Sequence, residues 1–420
     1  MKPLFVFLSL LVLTQLQAQE KKLLDWDIDS VFNEPETESP AEEPDAGGPS
    51  AADKLRQQNF FINASYELIA GIMPSWLEVP WSSAEDRGFF WDRAIKLRTS
   101  LGVEAQIDKS LRFRTNVFIE IPNFNLRLGD LFFDYNMYDV IFFRVGKYAY
   151  SWGISPNFNY TDLLARIPPR ITNPQESFIF KVDLPAGIGG FQVLAITRAD
   201  PRSNNPEMPK LADFGFGVKY NLALNAADLD FGVYYQEGMS MRGFISAKTT
   251  IRKTELYSEG LAAIDVHNPS NISGAVSVGF VRDFFDYKFN VNGEIFYNAE
   301  KGAFWYRPET SIREAGSVPF IDGLNFALNL RYKLGGKWNS RLFTQFLYEA
   351  FENSARLTPG FTLNPLPHIE IYLAVPMALG DKDGYYRQHT LTVDLQNRPV
   401  PFRIMLLISL SGSIQFSLHN

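Results

Sequence analysis

Charged side chains recur at every second position in several stretches of the sequence. Lys96 and Arg98, for example, flank the apolar Leu97. On a strand this spacing places the charges on one face, and basic side chains that line a water-filled passage favour anions. The charged residues that we expect to line such a passage, and so to form its wall, are Lys96, Arg98, Glu104, Arg112, Arg114, Glu120, Arg144, Glu294, Arg331, Lys333 and Asp394. Their basic members outnumber the acidic ones, which predicts a weak preference for anions. A charge-balanced wall without selectivity is the alternative.

No catalytic motif accompanies these charges. The sequence contains no cysteine, which excludes disulfides, thiolate metal sites and cysteine nucleophiles. The four histidines are scattered, and the Gly-x-Ser-x-Gly, His-Glu-x-x-His and phosphate-loop patterns are missing. We therefore expect no enzyme, no catalytic residue, no metal and no cofactor. The formal net charge of −7 argues against nucleic acid as a partner.

Alternation of apolar and polar residues predicts long strands. In 323–334 every even-numbered residue is apolar, while the odd-numbered ones include Asn325, Asn329, Arg331 and Lys333. The alternating segments run for about 9–14 residues, the length that a tilted strand needs to cross a bilayer. Strands of globular proteins are nearer 5–6 residues. The segments are therefore typical of membrane-spanning strands.

These strands predict an all-β fold, a transmembrane antiparallel up-and-down β-barrel. Only a closed barrel satisfies the backbone groups of strands in lipid, and tight turns such as Asp108-Lys109 join sequence neighbours. Aromatic residues near strand ends are expected in girdles at the two membrane interfaces. They include Tyr138, Tyr148, Trp152, Tyr234, Trp338 and Tyr386. The alternative is an exported soluble all-β protein.

The C-terminal segment 402–418 carries a family resemblance. Its even-numbered residues from Ile404 onward are apolar except Gly412, and serines fill most odd-numbered positions near its end. This resembles the outer-membrane β-barrels of diderm bacteria, spirochaete-type barrels among them, which close on an amphipathic C-terminal strand used as an assembly signal. Their common pattern ends on an aromatic residue, whereas this chain ends on Asn420, with Phe416 the nearest candidate. The resemblance implies an outer-membrane location, contact with its lipids and assembly by the barrel machinery.

A second resemblance lies in 144–153. Arg144, Gly146 and Lys147 precede Trp152-Gly153, which is similar to the Arg-x-Gly-Lys/Arg strand and following Trp-Gly of several porin-like families. In general porins a long loop folds inward and narrows the channel, so the resemblance implies that 154–177 forms a constriction. The constriction candidates are Trp152, Asp162, Arg166 and Arg170. An ordinary outer loop fits the sequence equally well.

The alternating segments also predict the number of strands. Nineteen candidate strands can be placed, including 388–396 and the poorly alternating 242–251 and 255–265. Single-chain bacterial barrels have an even number of strands, so about 16–18 are expected. A barrel of that size encloses an aqueous lumen unless it is plugged. Long connections are expected near 73–93, 151–176, 200–211 and 299–322.

The N-terminal residues differ in composition from the rest. Residues 1–18 read as a secretory signal, because Lys2 precedes an apolar core too short to span a bilayer. Cleavage is expected between Ala18 and Gln19; a retained anchor is the alternative. Residues 19–57 are acidic and rich in proline, which predicts a disordered periplasmic tether. Its apolar patch, Leu23–Phe32, is either a sticky part of the tether or a docking motif. Residues 58–420 then form the barrel.

Together these patterns predict an outer-membrane, porin-like channel for passive diffusion of small hydrophilic solutes. Two alternatives remain. A fatty-acid-type transporter would carry an N-terminal hatch with an Asn-Pro-Ala signature, which this sequence lacks. An adhesin or structural barrel would have longer loops. The identity of the solute is open, and so is the choice between a trimer and a monomer.

Overall fold

The computed structural model describes residues 60–79, 88–106, 110–122, 124–158, 176–197, 214–237, 240–266, 268–270, 272–299, 323–336, 338–388 and 400–418. The expected signal segment 1–18, the cleavage pair Ala18 and Gln19, and the tether 19–57 lie outside these residues. None of the helices in the described ranges is long and apolar enough to cross a membrane.

Eighteen antiparallel strands form one closed barrel within the described residues. The first sixteen are β1 (Phe60–Trp76), β2 (Phe89–Gln106), β3 (Leu111–Ile121), β4 (Asn125–Met137), β5 (Ile141–Ala149), β6 (Glu176–Ala186), β7 (Gly189–Thr197), β8 (Phe214–Ala223), β9 (Asp228–Gln236), β10 (Met241–Ile251), β11 (Thr254–Ile264), β12 (Ile272–Phe284), β13 (Phe289–Asn298), β14 (Gly323–Gly335), β15 (Ser340–Glu349) and β16 (Ser354–Leu366). The penultimate strand comprises Ile369–Ala374 and Met377–Gly380, and the C-terminal strand comprises Phe402–Arg403 and Met405–Leu418. One short helix, α1 (Tyr385–Gln388), lies between them.

The barrel closes between its first and last strands. Residues 60–72 of β1 pair with residues 406–418, while the other edge of β1 pairs with β2 along its whole length. Farther along, Ser75 and Trp76 pair with Arg403 and Phe402, and side chains reinforce the seam. The Arg403 guanidinium places Nη2 2.5 Å from Asp92 Oδ2, and its Nε donates to Ser75 Oγ at 2.8 Å. The seam therefore combines a continuous ladder with a buried ion pair.

Burial alternates along the strands. On β12, Val276 and Val278 are 44% and 57% exposed, whereas Ser277 between them is 1% exposed. Successive side chains of a strand point to opposite faces. The exposed apolar residues therefore form the outer surface of the barrel, and the polar residues face inward. The expected all-β, up-and-down barrel is confirmed.

The connections differ in length between the two ends of the barrel. Connections of two to four residues join most strand pairs at one end, where Phe60 also pairs with Leu418; we call this the short-turn end. The opposite, long-loop end carries the long connections 77–88, 150–175, 198–213, 299–322 and 381–401. With an even number of strands, the first residue of the first strand and the last residue of the last strand lie at the same end of the barrel. Phe60 and Leu418 both lie at the short-turn end.

The structure resolves the uncertain strand count. The poorly alternating segments 242–251 and 255–265 form β10 and β11. The additional candidate, 388–396, is not a strand of the described barrel: Gln388 belongs to α1, and the penultimate strand pairs directly with the C-terminal strand. Residues 389–399 lie outside the described ranges.

Exposed aromatic residues lie at both ends of the barrel. Trp91 is 61% exposed near the long-loop end, and Tyr138 is 86% exposed at the short-turn end. Tyr148, Tyr234 and Tyr386, which the sequence assigned to the girdles, are buried. Tyr148 and Tyr234 occupy inward positions of β5 and β9, and Tyr386 lies on α1, so these rings fill the interior instead of facing lipid headgroups. Trp152, which was also assigned to the girdles because it lies near a predicted strand end, is buried as well.

Candidate functional site: the inner wall and the inner segment

Paired charges line the inner faces of β1, β2 and β3. Arg98 Nε donates to Glu120 Oε1 at 3.0 Å, and Lys96 Nζ lies 3.7 Å from the same oxygen. On its other side, Arg98 Nη1 lies 4.0 Å from Glu67 Oε2. The strand register places Glu67, Arg98 and Glu120 side by side. Carboxylates on the two flanking strands therefore compensate the cations of β2.

The pairing continues around the wall to β5. Arg112 Nε lies 3.0 Å from Glu104 Oε1. Arg144 forms a two-pronged pair with Asp134, with Nε 2.6 Å from Oδ1 and Nη2 3.0 Å from Oδ2. Such fork-to-fork pairs fix the orientation of a guanidinium. We call the inner faces of β1–β5 the ion-paired wall.

The ion-paired wall is accessible to water. The side chains of Arg112 and Arg114 are 42% and 44% exposed, whereas their partners Glu104 and Asp130 are 29% and 27% exposed. Ion pairs this exposed contribute about 0–1 kcal/mol each to stability. Their main effect is on the electrostatic field in the lumen. In both pairs the cation is the more exposed member.

The other predicted wall residues lie in different places. Arg331 and Lys333 are on the inner face of β14 toward the short-turn end, opposite Phe343 and Arg341 of β15. Glu294 is on the inner face of β13, but it is 3% exposed and covered by another part of the chain. The remaining candidates lie outside the described residues: Asp162, Arg166, Arg170 and Asp394.

The chain that follows β5 folds against the inner surface of the barrel. We call Tyr150–Phe158 the inner segment. Tyr150 and Trp152 both donate to Gln192 Oε1 of β7, at 2.5 and 2.7 Å. The neighbours of Gln192 on the outer face, Phe191 and Val193, are 47% and 41% exposed, so the contact is on the inner face. Burial raises the pKa of Tyr150 to about 12, which keeps its hydroxyl protonated as a donor.

The middle of the inner segment crosses β11 and β12. The backbone N–H of Ile154 donates to Glu259 Oε1 at 2.5 Å, and the hydroxyl oxygens of Ser155 and Ser277 are 2.8 Å apart. Glu259 and Ser277 are fully buried beneath it. Adjacent strands thus bind successive residues of the segment.

The end of the inner segment reaches β13 and β14. Asn157 donates to Glu294 Oε2 from both its backbone nitrogen and its Nδ2, each at 3.1 Å. Asn329 Nδ2 in turn donates to Asn157 Oδ1 at 2.6 Å. The Phe158 ring stacks on Phe296 with centroids 5.1 Å apart. The segment therefore follows the inner surface from β7 to β14.

Trp152 lies in a recess shaped by small residues. Its ring is 5.6 Å from that of Phe244 on β10. A Cβ added to Gly217 on β8 would lie 2.5 Å from Trp152 Cη2, so a larger residue there would displace the ring. Glycine in the middle of a strand commonly marks such a close approach.

A second piece of chain enters from the long-loop end. The backbone N–H of Tyr385 donates to Glu352 Oε2 at 2.7 Å, and that of Tyr386 donates to Ser354 Oγ at 3.2 Å. Tyr386 belongs to the same buried apolar cluster as Trp152. This contact was not predicted, because Tyr386 was assigned to an interface girdle and a strand was expected over 388–396. The inner segment covers the inner surface from β7 to β14, whereas the segment around α1 covers the long-loop end of β16 and of the penultimate strand.

Solved structures with this architecture are found among Gram-negative outer-membrane proteins. The structure is similar to those of the outer membrane protein OpdK and of OccK5 (OpdH), both from Pseudomonas aeruginosa. The structure shares the closed β-barrel fold of these proteins. For OpdK the identity is 9% and the TM-score 0.51, with 85% of this chain and 99% of that chain covered. For OccK5 the identity is 9% and the TM-score 0.54, with coverages of 85% and 98%.

A third similar structure is that of OccAB4 from Acinetobacter baumannii, with 10% identity, a TM-score of 0.52, and coverages of 86% and 99%. At identities this low the similarity concerns the fold alone. Comparison with models of known protein families and with curated proteins finds no match.

Proposed function

We propose that this protein is an outer-membrane channel through which small hydrophilic solutes diffuse passively. One observation carries the proposal: a closed barrel of porin-like fold has a water-accessible, ion-paired wall on the side that the inner segment leaves uncovered. Polar side chains replace the hydration of a passing solute, while the closed ladder keeps the backbone satisfied in lipid. The solute path would run beside β1–β5.

The inner segment is the proposed constriction of this channel. It begins with Tyr150 and Trp152, which are anchored on Gln192, and it fills part of the lumen from β7 to β14. Hydrogen bonds to several strands would hold the segment in place across the lumen. The wall residues Lys96, Arg98, Glu104, Arg112, Arg114, Glu120, Arg144, Arg331 and Lys333 would line the path. Glu294 is assigned instead to anchoring the segment.

A weak anion preference is part of the proposal. The carboxylates beside the basic side chains cancel most of their charge, which argues against strong selectivity. In the Arg112–Glu104 and Arg114–Asp130 pairs the guanidinium is more exposed than the carboxylate, which leaves a small positive bias toward the solute. Rings of exposed basic groups favour anions.

The location and partners follow from the same proposal. A barrel with an apolar outer face between two aromatic zones suits a bilayer. The proposed environment is the outer membrane with its lipids, reached through the signal segment and through recognition of the C-terminal strand by the assembly machinery. The chain would act as a monomer or a trimer.

Liposome swelling tests the proposal. Protein-containing liposomes should swell rapidly in small sugars and amino acids and slowly in larger oligosaccharides. In planar bilayers, a KCl gradient should give a small reversal potential of the sign for anions. A folded barrel that does not conduct and that carries co-purified lipid in its lumen would instead support the alternative, a fatty-acid-type transporter. Clear cation selectivity would contradict the anion preference alone.

A further inference from the structure

Two buried carboxylates of the barrel hold the inner segment. Glu294 Oε2 accepts from the backbone nitrogen and the Nδ2 of Asn157, each at 3.1 Å, and from the Tyr257 hydroxyl at 3.2 Å. Glu259 Oε1 accepts from the backbone nitrogen of Ile154 at 2.5 Å. Both carboxylates are buried, 3% and 0% exposed. The backbone N–H groups of the segment therefore depend on the barrel's acidic side chains.

The surroundings of Glu294 offer little to hold its charge besides these donors and the side-chain hydroxyl of Ser155. On β11 Glu294 faces Tyr257 and Glu259, the second being another acid. Glu259 itself lies opposite Ser246 of β10 and Ser277 of β12, neither of which is charged. The facing residues of β12 and β14 and the adjoining part of the inner segment carry no titratable group: Ser277, Gly279, Ala327, Asn329, Ser155 and Asn157. Along β14 the nearest basic residue is Arg331, beyond Asn329. Glu294 Oε1 is buried and accepts no hydrogen bond among the described residues.

This arrangement makes the attachment of the segment sensitive to protonation. Burial near a second acid favours the neutral form of a carboxyl group, while N–H donors favour the charged form. Hydrogen bonds to a charged acceptor are markedly stronger than those to a neutral one. Loss of the charge would therefore weaken the bonds to Ile154 and Asn157, whereas the contacts of Trp152 with Gln192 and Phe244 carry no titratable acceptor and would persist.

We propose that Glu259 and Glu294 form a proton-sensitive latch that fixes the inner segment to the wall and releases it in acid. Released at its middle but still tethered at β5 and Trp152, the segment moves away from β11–β14 into the open part of the lumen and reduces conduction. The inference rests on the proposed channel function. The latch goes beyond that function because it assigns a regulatory role to two acidic residues that do not face the solute.

The first test removes the negative charge of each glutamate with little change in the shape of the side chain. The Glu294→Gln and Glu259→Gln channels should show frequent closures at neutral pH. The unaltered channel should show such closures only when it is acidified, with its conductance followed from about pH 8 to about pH 4, below the usual range of a glutamate carboxyl group. The conductance of the two variants should then vary little over that range. The control is Glu255→Gln, on the same inner face of β11 but paired with Lys248 2.9 Å away and not in contact with the segment. It should keep the pH dependence of the unaltered channel.

The second test locks the segment. Because the chain has no cysteine, Ser155→Cys combined with Ser277→Cys introduces a single pair of thiols, at positions whose hydroxyl oxygens are 2.8 Å apart. That separation suits a disulfide after a small adjustment. The oxidised double variant should conduct equally at both pH values, and reduction should restore the closure in acid. A locked channel that still closes in acid would overturn the latch.

A third measurement does not require conduction. An impermeant maleimide labels the thiol of Ser155→Cys, and the labelling rate is measured at each pH. This rate is divided by the labelling rate of Ser411→Cys, an exposed inward position of the C-terminal strand. The division removes the effect of pH on the ionisation of the thiols. The ratio should rise about tenfold in acid, the effect of exchanging a charge-assisted hydrogen bond for a neutral one. An unchanged ratio overturns the latch even in a conducting channel. A rising ratio in a barrel that never conducts would refute the channel and retain the latch.

Discussion

The buried Arg403–Asp92 pair at the closing seam should be a major determinant of barrel stability. The change to make is Arg403→Met, which keeps most of the side-chain volume and removes the guanidinium. It takes from Asp92 a partner 2.5 Å away and from Ser75 a donor 2.8 Å away. The two charged side chains are 3% and 9% exposed, so water cannot replace the lost contacts.

The expected loss follows from this geometry. Unit charges about 4 Å apart interact by about 4 kcal/mol at an effective dielectric constant of about 20. Removing one member of a buried pair costs about 3–5 kcal/mol, because the other charge stays buried. We therefore expect Arg403→Met to lower the free energy of unfolding by about 3–5 kcal/mol. Adding Asp92→Leu should recover part of that loss, since it removes the buried carboxylate.

Urea titration of the barrel in liposomes measures this effect, with folded protein quantified by its heat-dependent mobility in gels. The matched control is Lys382→Met, because Lys382 is 73% exposed and lies 3.4 Å from Glu78. An exposed pair should contribute about 0–1 kcal/mol. If Arg403→Met costs no more than Lys382→Met, or if the double variant is less stable than the single one, the reasoning about the seam is wrong.

Three further variants address the lumen. Gly217→Val should lower the free energy of unfolding by about 1–3 kcal/mol, since its Cβ would lie 2.5 Å from the Trp152 ring. Gly243→Val, whose Cβ would have its nearest neighbour 3.8 Å away on the outer surface, should be nearly neutral in the same urea titration. Trp152→Ala should raise single-channel conductance while lowering stability by about 3–5 kcal/mol; unchanged conductance would argue against the constriction. Replacing Arg112 and Arg114 together by serine should shift the reversal potential toward cations, and a shift toward anions would contradict their role.

The barrel could be predicted from sequence because the direction of a side chain in a strand is a local property. The same rule explains where the pattern was weak. On β10 and β11 the apolar Phe244 and Leu261 face inward, where they pack in the cluster around Trp152, while Gly243 and Gly260 lie at the alternate, outward positions. Alternation fades wherever the inner face is covered by protein instead of water, so these two strands were the hardest to recognise.

The candidate site was only partly accessible from sequence for the same reason. Periodicity identifies the face on which a residue lies, but it does not reveal what covers that face. Arg98 and Glu294 have the same pattern in the sequence, yet one lies on the water-accessible wall and the other beneath Asn157. The compensation of each cation by a carboxylate on the next strand depends on register, which fixes pairs such as Arg98 and Glu120.

The anchoring of the inner segment has a consequence for how the barrel is assembled. Ile154 and Glu259 are 105 residues apart in the chain, Ser155 and Ser277 are 122 apart, and Asn157 and Asn329 are 172 apart. Contacts between such distant residues form late, after the intervening chain has been ordered. The segment that narrows the lumen can therefore settle only when β14 is in place. A closed barrel in which the segment has not yet settled would have a less restricted lumen than the finished one.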